Sequence, residues 1–164
     1  MNEPAFARIA TEIEEFARSA PELAALERFA VERIAAGLPA YDWVGFYWLD
    51  PADHRMLELG AFVGAPTEHR RIPVSSGICG AAVALGETIV VDDVRADPRY
   101  LACSLETKSE IVVPISAHGR VVGEIDIDSH TSAAFGQADR AFLERCGASI
   151  GAFIEKSRPG QVVH

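Results

Sequence analysis

Cys103 is the cysteine whose surroundings best suit chemistry, because it lies in a long segment with neither helical nor strand periodicity. Arg99 and Lys108 are close in sequence, and nearby cations favour the thiolate, the form of cysteine that acts as a nucleophile. The alternative is a loop residue that fills a gap in the core. The residues alone support these two interpretations equally.

Cys79 and Cys146 have plainer interpretations. Cys79 follows Gly77 at the start of a short apolar helix, where the helix N-terminus would lower the pKa of a thiol. Packing is the alternative, and it is favoured for Cys79 taken alone. Cys146 lies at helical spacing from Phe142 and Ile150, which predicts a core thiol. Three cysteines, an odd number, do not predict a disulfide framework.

Carboxyl groups form a second candidate cluster. Asp126 and Asp128 are two positions apart in a predicted strand, so both side chains point to the same face. A three-residue hairpin loop over 117–119 would pair Glu110 with Asp126, whereas a two-residue turn would send Glu110 to the opposite face. Converging carboxyls raise the pKa of at least one of them, and a neutral carboxylic acid can donate a proton near neutral pH. The alternative is an ordinary charged sheet face in solvent.

Trp43 and Tyr47 are a third candidate group, because residues four apart on a strand share a face. Core packing is the favoured interpretation of any aromatic pair in a strand. The functional alternative is an aromatic wall against which a small apolar ligand group packs.

The elements that would position these residues are four helices and six strands. Helical periodicity predicts helices over residues 1–18, 23–37, 77–85 and 137–155. β-Branched and aromatic runs predict strands over residues 42–49, 56–62, 71–74, 88–91, 109–116 and 120–128. The irregular segment 92–108 contains Cys103, and loops this long in compact domains usually have a function. The polar tail 157–164 is predicted to fray.

This order of elements predicts an α+β fold. The sheet is expected to be mostly antiparallel, with the N- and C-terminal helices on one face and a ligand pocket under loops on the other. A length of 164 residues predicts one domain over 1–164.

Composition argues against several partners. The formal net charge of −9 opposes binding to nucleic acid or to anionic membranes. The N-terminal residues are rich in glutamate rather than basic and apolar, so they do not predict a signal peptide, and no apolar run approaches the roughly 20 residues of a membrane span. A cytoplasmic protein is therefore expected.

Six segments together resemble the GAF domain family, of the free methionine-(R)-sulfoxide reductase type. They are YDWVGFYWL at 41–49, LGAFVG at 59–64, RIPVSSGICGAA at 71–82, VVDDV at 90–94, LACSLETKSEIVVPI at 101–115 and VVGEIDIDS at 121–129. Their order and spacing fit the family from about Leu23 to the final helix. A lone cysteine or a lone Asp-Ile-Asp would be weak evidence, but the six segments together are specific.

The resemblance implies that Cys103 attacks the sulfur of free methionine-(R)-sulfoxide, which releases methionine and leaves a cysteine sulfenic acid. A second thiol can condense with the sulfenic acid, and a thioredoxin-like reductant would restore the thiols. The resolving cysteine of the family usually lies ten residues before the position of Cys79, where this chain has His69. Regeneration is therefore expected through Cys79 or directly by an external thiol.

The resemblance also assigns the acids and the substrate wall. Glu110, Asp126 and Asp128 correspond to the acids that surround the sulfoxide oxygen and the amino group of the substrate. The residues that correspond to the substrate-binding positions are Trp43, Tyr47, Leu101 and Ala102. A neutral carboxylic acid beside a thiolate also fits the chemistry, because sulfoxide oxygen leaves poorly unless it is protonated. The resemblance implies no bound cofactor or metal. It also implies a homodimer.

The leading hypothesis is therefore a reductase of the free amino acid. A GAF module that binds a small ligand or senses redox state without turnover is the alternative, because a fold alone does not decide function. The three acids beside Cys103 favour the enzyme, whereas His69 in place of the resolving cysteine favours the sensor.

Overall fold

A six-stranded antiparallel sheet forms the centre of the computed structural model, which describes residues 2–101 and 105–157. The strands are β1 (Trp43–Asp50), β2 (Asp53–Val63), β3 (Arg71–Pro73), β4 (Ile89–Val91), β5 (Ser109–Ala117) and β6 (Arg120–Ser129). Their order across the sheet is β3-β2-β1-β6-β5-β4, so β1 and β6 lie in the middle. The six predicted strands are confirmed, and β2 starts three residues earlier than its pattern indicated.

Four helices flank this sheet: α1 (Glu3–Ala17), α2 (Leu23–Gly37), α3 (Gly77–Leu85) and α4 (Gln137–Ser157). Helices α2 and α4 pack on one face of the sheet, and α1 packs mainly on α2 and α4. Helix α3 packs against the opposite face. The α+β fold is confirmed, with α1 outside the other two helices rather than directly on the sheet. No helix in the described ranges is long and apolar enough to cross a membrane.

The two-residue period of the central strands separates two apolar layers. Phe46, Ile125 and Ile127 belong to the larger core, which lies under α1, α2 and α4. Trp43 and Tyr47 alternate with those residues and belong to the smaller core around α3. The acids of β6 alternate with its isoleucines, so they point toward α3.

Cys146 lies in the larger core, where it is 1% exposed. Burial raises the pKa of its thiol to about 12. The prediction of a packing residue is confirmed.

The β5–β6 hairpin corrects the predicted register. The turn contains two residues, 118–119, both with positive φ, rather than three. A two-residue turn alone would put Glu110 on the face opposite the aspartates. Between Ile115 and Ser116, however, β6 has the extra residue Val122, and this bulge shifts the register by one residue. Glu110 therefore pairs with Asp128 instead of Asp126, and it still points toward α3.

Candidate active site

Four carboxyl side chains are buried together on the α3-facing side of β5 and β6. Glu124, Asp126 and Asp128 alternate along β6, and Glu110 lies beside Asp128 on β5. All four are at most 5% exposed, so this face is not a solvated charged surface. The structure brings the three predicted acids together and adds Glu124, which the sequence reasoning missed although it shares the alternation of Asp126 and Asp128.

The carboxyl groups satisfy one another only in part. Glu110 hydrogen-bonds to Asp126 and to Asp128, and a hydrogen bond between two carboxyl groups needs a proton on one of them. Within the described part of the chain, one oxygen each of Asp126 and Asp128 has no hydrogen-bond partner, and Glu124 has no hydrogen bond of ordinary geometry although its carboxyl lies against the Cys79 thiol. A buried polar group without a partner costs about 1–3 kcal/mol, so a ligand that supplies donors here would gain affinity.

Burial shifts the titration of this cluster. It raises the pKa of Glu124 and of Asp128 well above the ordinary range, and the charge of Asp126 adds to both shifts. Burial also raises the pKa of Asp126. Neutral carboxylic acids are therefore available at a pH where an exposed carboxyl would be ionised.

We expect the free energy of unfolding to fall as the pH rises through the range above about 4, the ordinary pKa of an exposed carboxyl. Glu124, Asp126 and Asp128 have a pKa above the value of about 4 of the unfolded chain, so the folded protein holds more protons between the two values. The free energy of unfolding is highest at pH values below the pKa of the unfolded chain. It decreases as the pH rises, by up to about 1.4 kcal/mol per pH unit for each of these groups. Glu124→Gln removes one titrating group and should flatten the profile. Urea denaturation across this range measures both proteins, and parallel profiles would contradict the expectation.

Cys79 lies in α3, where it is 5% exposed and its thiol faces Glu124 and Asp126. Burial and then the negative charges of Asp126, Glu124 and Glu110 raise the pKa of this thiol well above the ordinary range. The helix N-terminus would lower the pKa of Cys79, but burial outweighs this effect. A helix dipole contributes at most about 2 kcal/mol, whereas full burial shifts a pKa by several units. The neutral thiol form of Cys79 is therefore favoured over the thiolate.

Trp43 and Tyr47 form a wall beside the acids, with ring centroids 6.3 Å apart. The Trp43 indole N–H donates to the carbonyl oxygen of Ala65 at 3.0 Å, and the Tyr47 hydroxyl donates to that of His69 at 2.7 Å. A Cβ atom at Gly45 would collide with the Trp43 ring, so the glycine lets this ring lie across the strand. Because their polar atoms are satisfied by backbone, the two rings present apolar faces.

Two small cavities adjoin this site. A cavity of about 10 Å³ is lined by Cys79, Leu101, Glu110 and Asp126 with neighbours in β3 and α3. A second cavity of about 100 Å³ is lined by residues that include Trp43 and Asp128. Leu101, predicted to bind substrate, thus borders the acids. The predicted nucleophile Cys103 and the predicted substrate contact Ala102 lie outside the described residues.

The sequence profile of the GAF domain family matches residues 20–155. The chain belongs to the GAF domain family. The free methionine-R-sulfoxide reductase of Saccharomyces cerevisiae is 42% identical to this GAF protein over 110 residues, which are 66% of this chain and 61% of the yeast protein. This chain thus matches less than two thirds of that relative's length.

Solved structures extend the similarity of this GAF protein over nearly its whole chain. The free methionine-R-sulfoxide reductase from Neisseria meningitidis, solved in complex with its substrate, superposes with a TM-score of 0.91 at 32% identity and covers 98% of this chain and 95% of that one. The type II free methionine-R-sulfoxide reductase from Thermoplasma acidophilum has a TM-score of 0.76 at 38% identity and covers 88% and 96%. The resemblance found in the sequence is confirmed.

Proposed function

We propose that this GAF protein is an oxidoreductase that reduces free methionine-(R)-sulfoxide to methionine. The observation that carries the proposal is the buried cluster of Glu110, Asp126 and Asp128 beside the wall of Trp43 and Tyr47. Buried acids suit a ligand that brings both a cation and a proton acceptor. The similarity to reductases of this name supports the same reading.

The substrate has groups that match each part of this site. Its α-ammonium group would offer a positive charge and hydrogen-bond donors to the carboxylates. Its methyl-thioether end would pack on Trp43 and Tyr47. A methionine sulfoxide inside a peptide has an amide in place of the ammonium group, so we expect selectivity for the free amino acid.

The proposed reaction moves one oxygen atom and two electrons. The Cys103 thiolate attacks the sulfoxide sulfur while a neutral carboxyl of the cluster protonates the sulfoxide oxygen. The oxygen ends on Cys103 as a sulfenic acid, and the methionine sulfur is reduced by the electron pair of the cysteine sulfur. A thiol then condenses with the sulfenic acid and releases water, and a second reductant thiol cleaves the mixed disulfide. A thioredoxin-like protein is the proposed reductant.

The test is methionine release from free methionine-(R)-sulfoxide with dithiothreitol or thioredoxin as reductant. We expect turnover with the (R) epimer and none with N-acetylmethionine sulfoxide, which lacks the ammonium group. Absence of methionine with the free (R) epimer would contradict the proposed function.

Cys79→Ser is expected to retain turnover with dithiothreitol. The Cys79 thiol is buried and its raised pKa disfavours the thiolate, so attack of an external thiol on the Cys103 sulfenic acid is the favoured route. Mass spectrometry of wild type after one equivalent of sulfoxide, without reductant, should find a sulfenic acid on Cys103. A disulfide between Cys79 and Cys103 would contradict this and identify Cys79 as the resolving thiol.

A ligand- or redox-sensing role is the second candidate function, and His69 at the usual position of the resolving cysteine favours it. A sensor would bind methionine sulfoxide or become oxidised without releasing methionine, so the same assay separates the two. A homodimer, which the resemblance implies, and a cytoplasmic location, expected from the N-terminal residues, are further proposals.

A further inference from the structure

Cys79, Glu110 and Asp126 bring three metal-binding atoms to one point. The Cys79 sulfur and one carboxylate oxygen from each acid all lie within 4.8 Å of one another. These residues come from α3, β5 and β6, so the site is held by three separate elements. All three side chains are at most 5% exposed, which excludes bulk water from the donors.

Glu124 provides a second and independent observation. It is completely buried on β6, and neither of its oxygens accepts a hydrogen bond of ordinary geometry from a residue that the structure describes. Its carboxyl group nevertheless lies against the Cys79 thiol and within electrostatic reach of Asp126. One oxygen of Asp126 likewise has no hydrogen-bond partner among residues 2–101 and 105–157. Oxygens buried in this way are stabilised by a cation or by donors.

We propose that Cys79, Glu110 and Asp126 bind one borderline-soft divalent ion such as Zn²⁺, with Glu124 as a supporting carboxyl beside the sulfur. A thiolate with two carboxylates suits Zn²⁺ or Co²⁺, whereas Mg²⁺ and Ca²⁺ take oxygen ligands only. Ligands around a tetrahedral zinc stand about 3.5 Å apart, so shifts of about 1 Å in the side chains close the site. The thiol loses its proton as the ion binds.

Bound metal would compete with the substrate. The ion occupies Glu110 and Asp126, which the proposed function assigns to the sulfoxide and the ammonium group. Zn²⁺ is therefore expected to inhibit methionine release. This inhibition rests on the proposed function, whereas binding of the ion does not.

Titration of the reduced full-length protein with Co²⁺ tests the site, because a cobalt–thiolate bond gives a charge-transfer absorption in the near ultraviolet. We expect a saturable band with one Co²⁺ per chain, displaced by Zn²⁺. Cys79→Ser should lose the band, and Glu124→Gln should bind about tenfold more weakly, as outer-shell substitutions do. Cys103→Ser and Cys146→Ser are matched controls and should keep the band.

A band that survives Cys79→Ser, or that disappears in Cys103→Ser or Cys146→Ser, would overturn the assignment, as would the absence of saturable binding. Circular dichroism checks that each variant is folded, and Asp126→Asn offers a second ligand substitution if Cys79→Ser does not fold. Methionine release is assayed separately in excess chelator, so a failed reductase assay and a failed cobalt titration remain distinct results.

Discussion

Cys103→Ser should abolish methionine release. A serine hydroxyl is not ionised near neutral pH and cannot accept the sulfoxide oxygen as a sulfenic acid, so both the attack and its product are lost. Removal of an enzyme nucleophile costs up to about a million-fold in rate, which places the variant below detection. Initial rates with dithiothreitol and a single turnover without reductant both measure the effect.

Cys146→Ser is the matched control, because Cys146 is 1% exposed in the core on the other side of the sheet. We expect a normal rate and a loss of stability of about 0.5–3 kcal/mol, the usual range for a core substitution. Full activity in Cys103→Ser would contradict the mechanism. Loss of activity in folded Cys146→Ser would show that the wrong thiol was assigned.

The architecture was predictable because each element has a strong local pattern. The aromatic and β-branched run over 42–49 became β1 (Trp43–Asp50), and the acids of β6 alternate with isoleucines as a two-residue period requires. Alternation also predicted that Asp126 and Asp128 share one face of the sheet. Patterns of this kind depend on the chain itself and not on what packs against it.

The register of the hairpin was not predictable in the same way. The prediction put Glu110 on the correct face through a three-residue loop, whereas the structure uses a two-residue turn and a bulge with Val122 as the extra residue. The shorter turn and the bulge each shift the strand pairing by one residue. Glu110 therefore stays on the same face of the sheet, and its partner on β6 changes from Asp126 to Asp128. A bulge has no clear signature in a single sequence, because it is a property of the paired strands.

The burial of Glu124 and the pKa of Cys79 were also not predictable from the sequence. A glutamate on a strand is expected in solvent, since charged residues are seldom fully buried, yet the packing of α3 covers Glu124. The pKa of the Cys79 thiol depends in turn on the carboxyls opposite it, which come from β5 and β6. Both properties arise from tertiary contacts that sequence spacing does not contain.

Asp126→Asn is expected to lower kcat by about 100-fold or more, the usual contribution of a general acid. Asp126 and Glu110 line the small cavity that Leu101 borders, next to the segment that contains Cys103, so Asp126 is the acid best placed to protonate the sulfoxide oxygen. Its pKa is raised, which keeps it protonated at a pH where an exposed carboxyl is ionised, so the wild-type kcat should fall as the pH rises through that pKa. The variant should lose this dependence. Glu58→Gln, on the exposed part of β2, is the control and should leave kcat and KM unchanged.

Asp128→Asn should instead raise KM more than it lowers kcat. Asp128 lines the larger cavity with Trp43, at the other end of the acid row from Glu124, and this position suits the ammonium group of the substrate. Loss of a binding interaction that is equal in the ground state and the transition state changes KM alone, whereas loss of a proton donor changes kcat. Steady-state kinetics of the two variants separate these roles. An effect on kcat alone in both variants would assign both acids to proton transfer. Unchanged kinetics in both variants would mean that the buried acids serve packing only, and the proposed mechanism would be wrong.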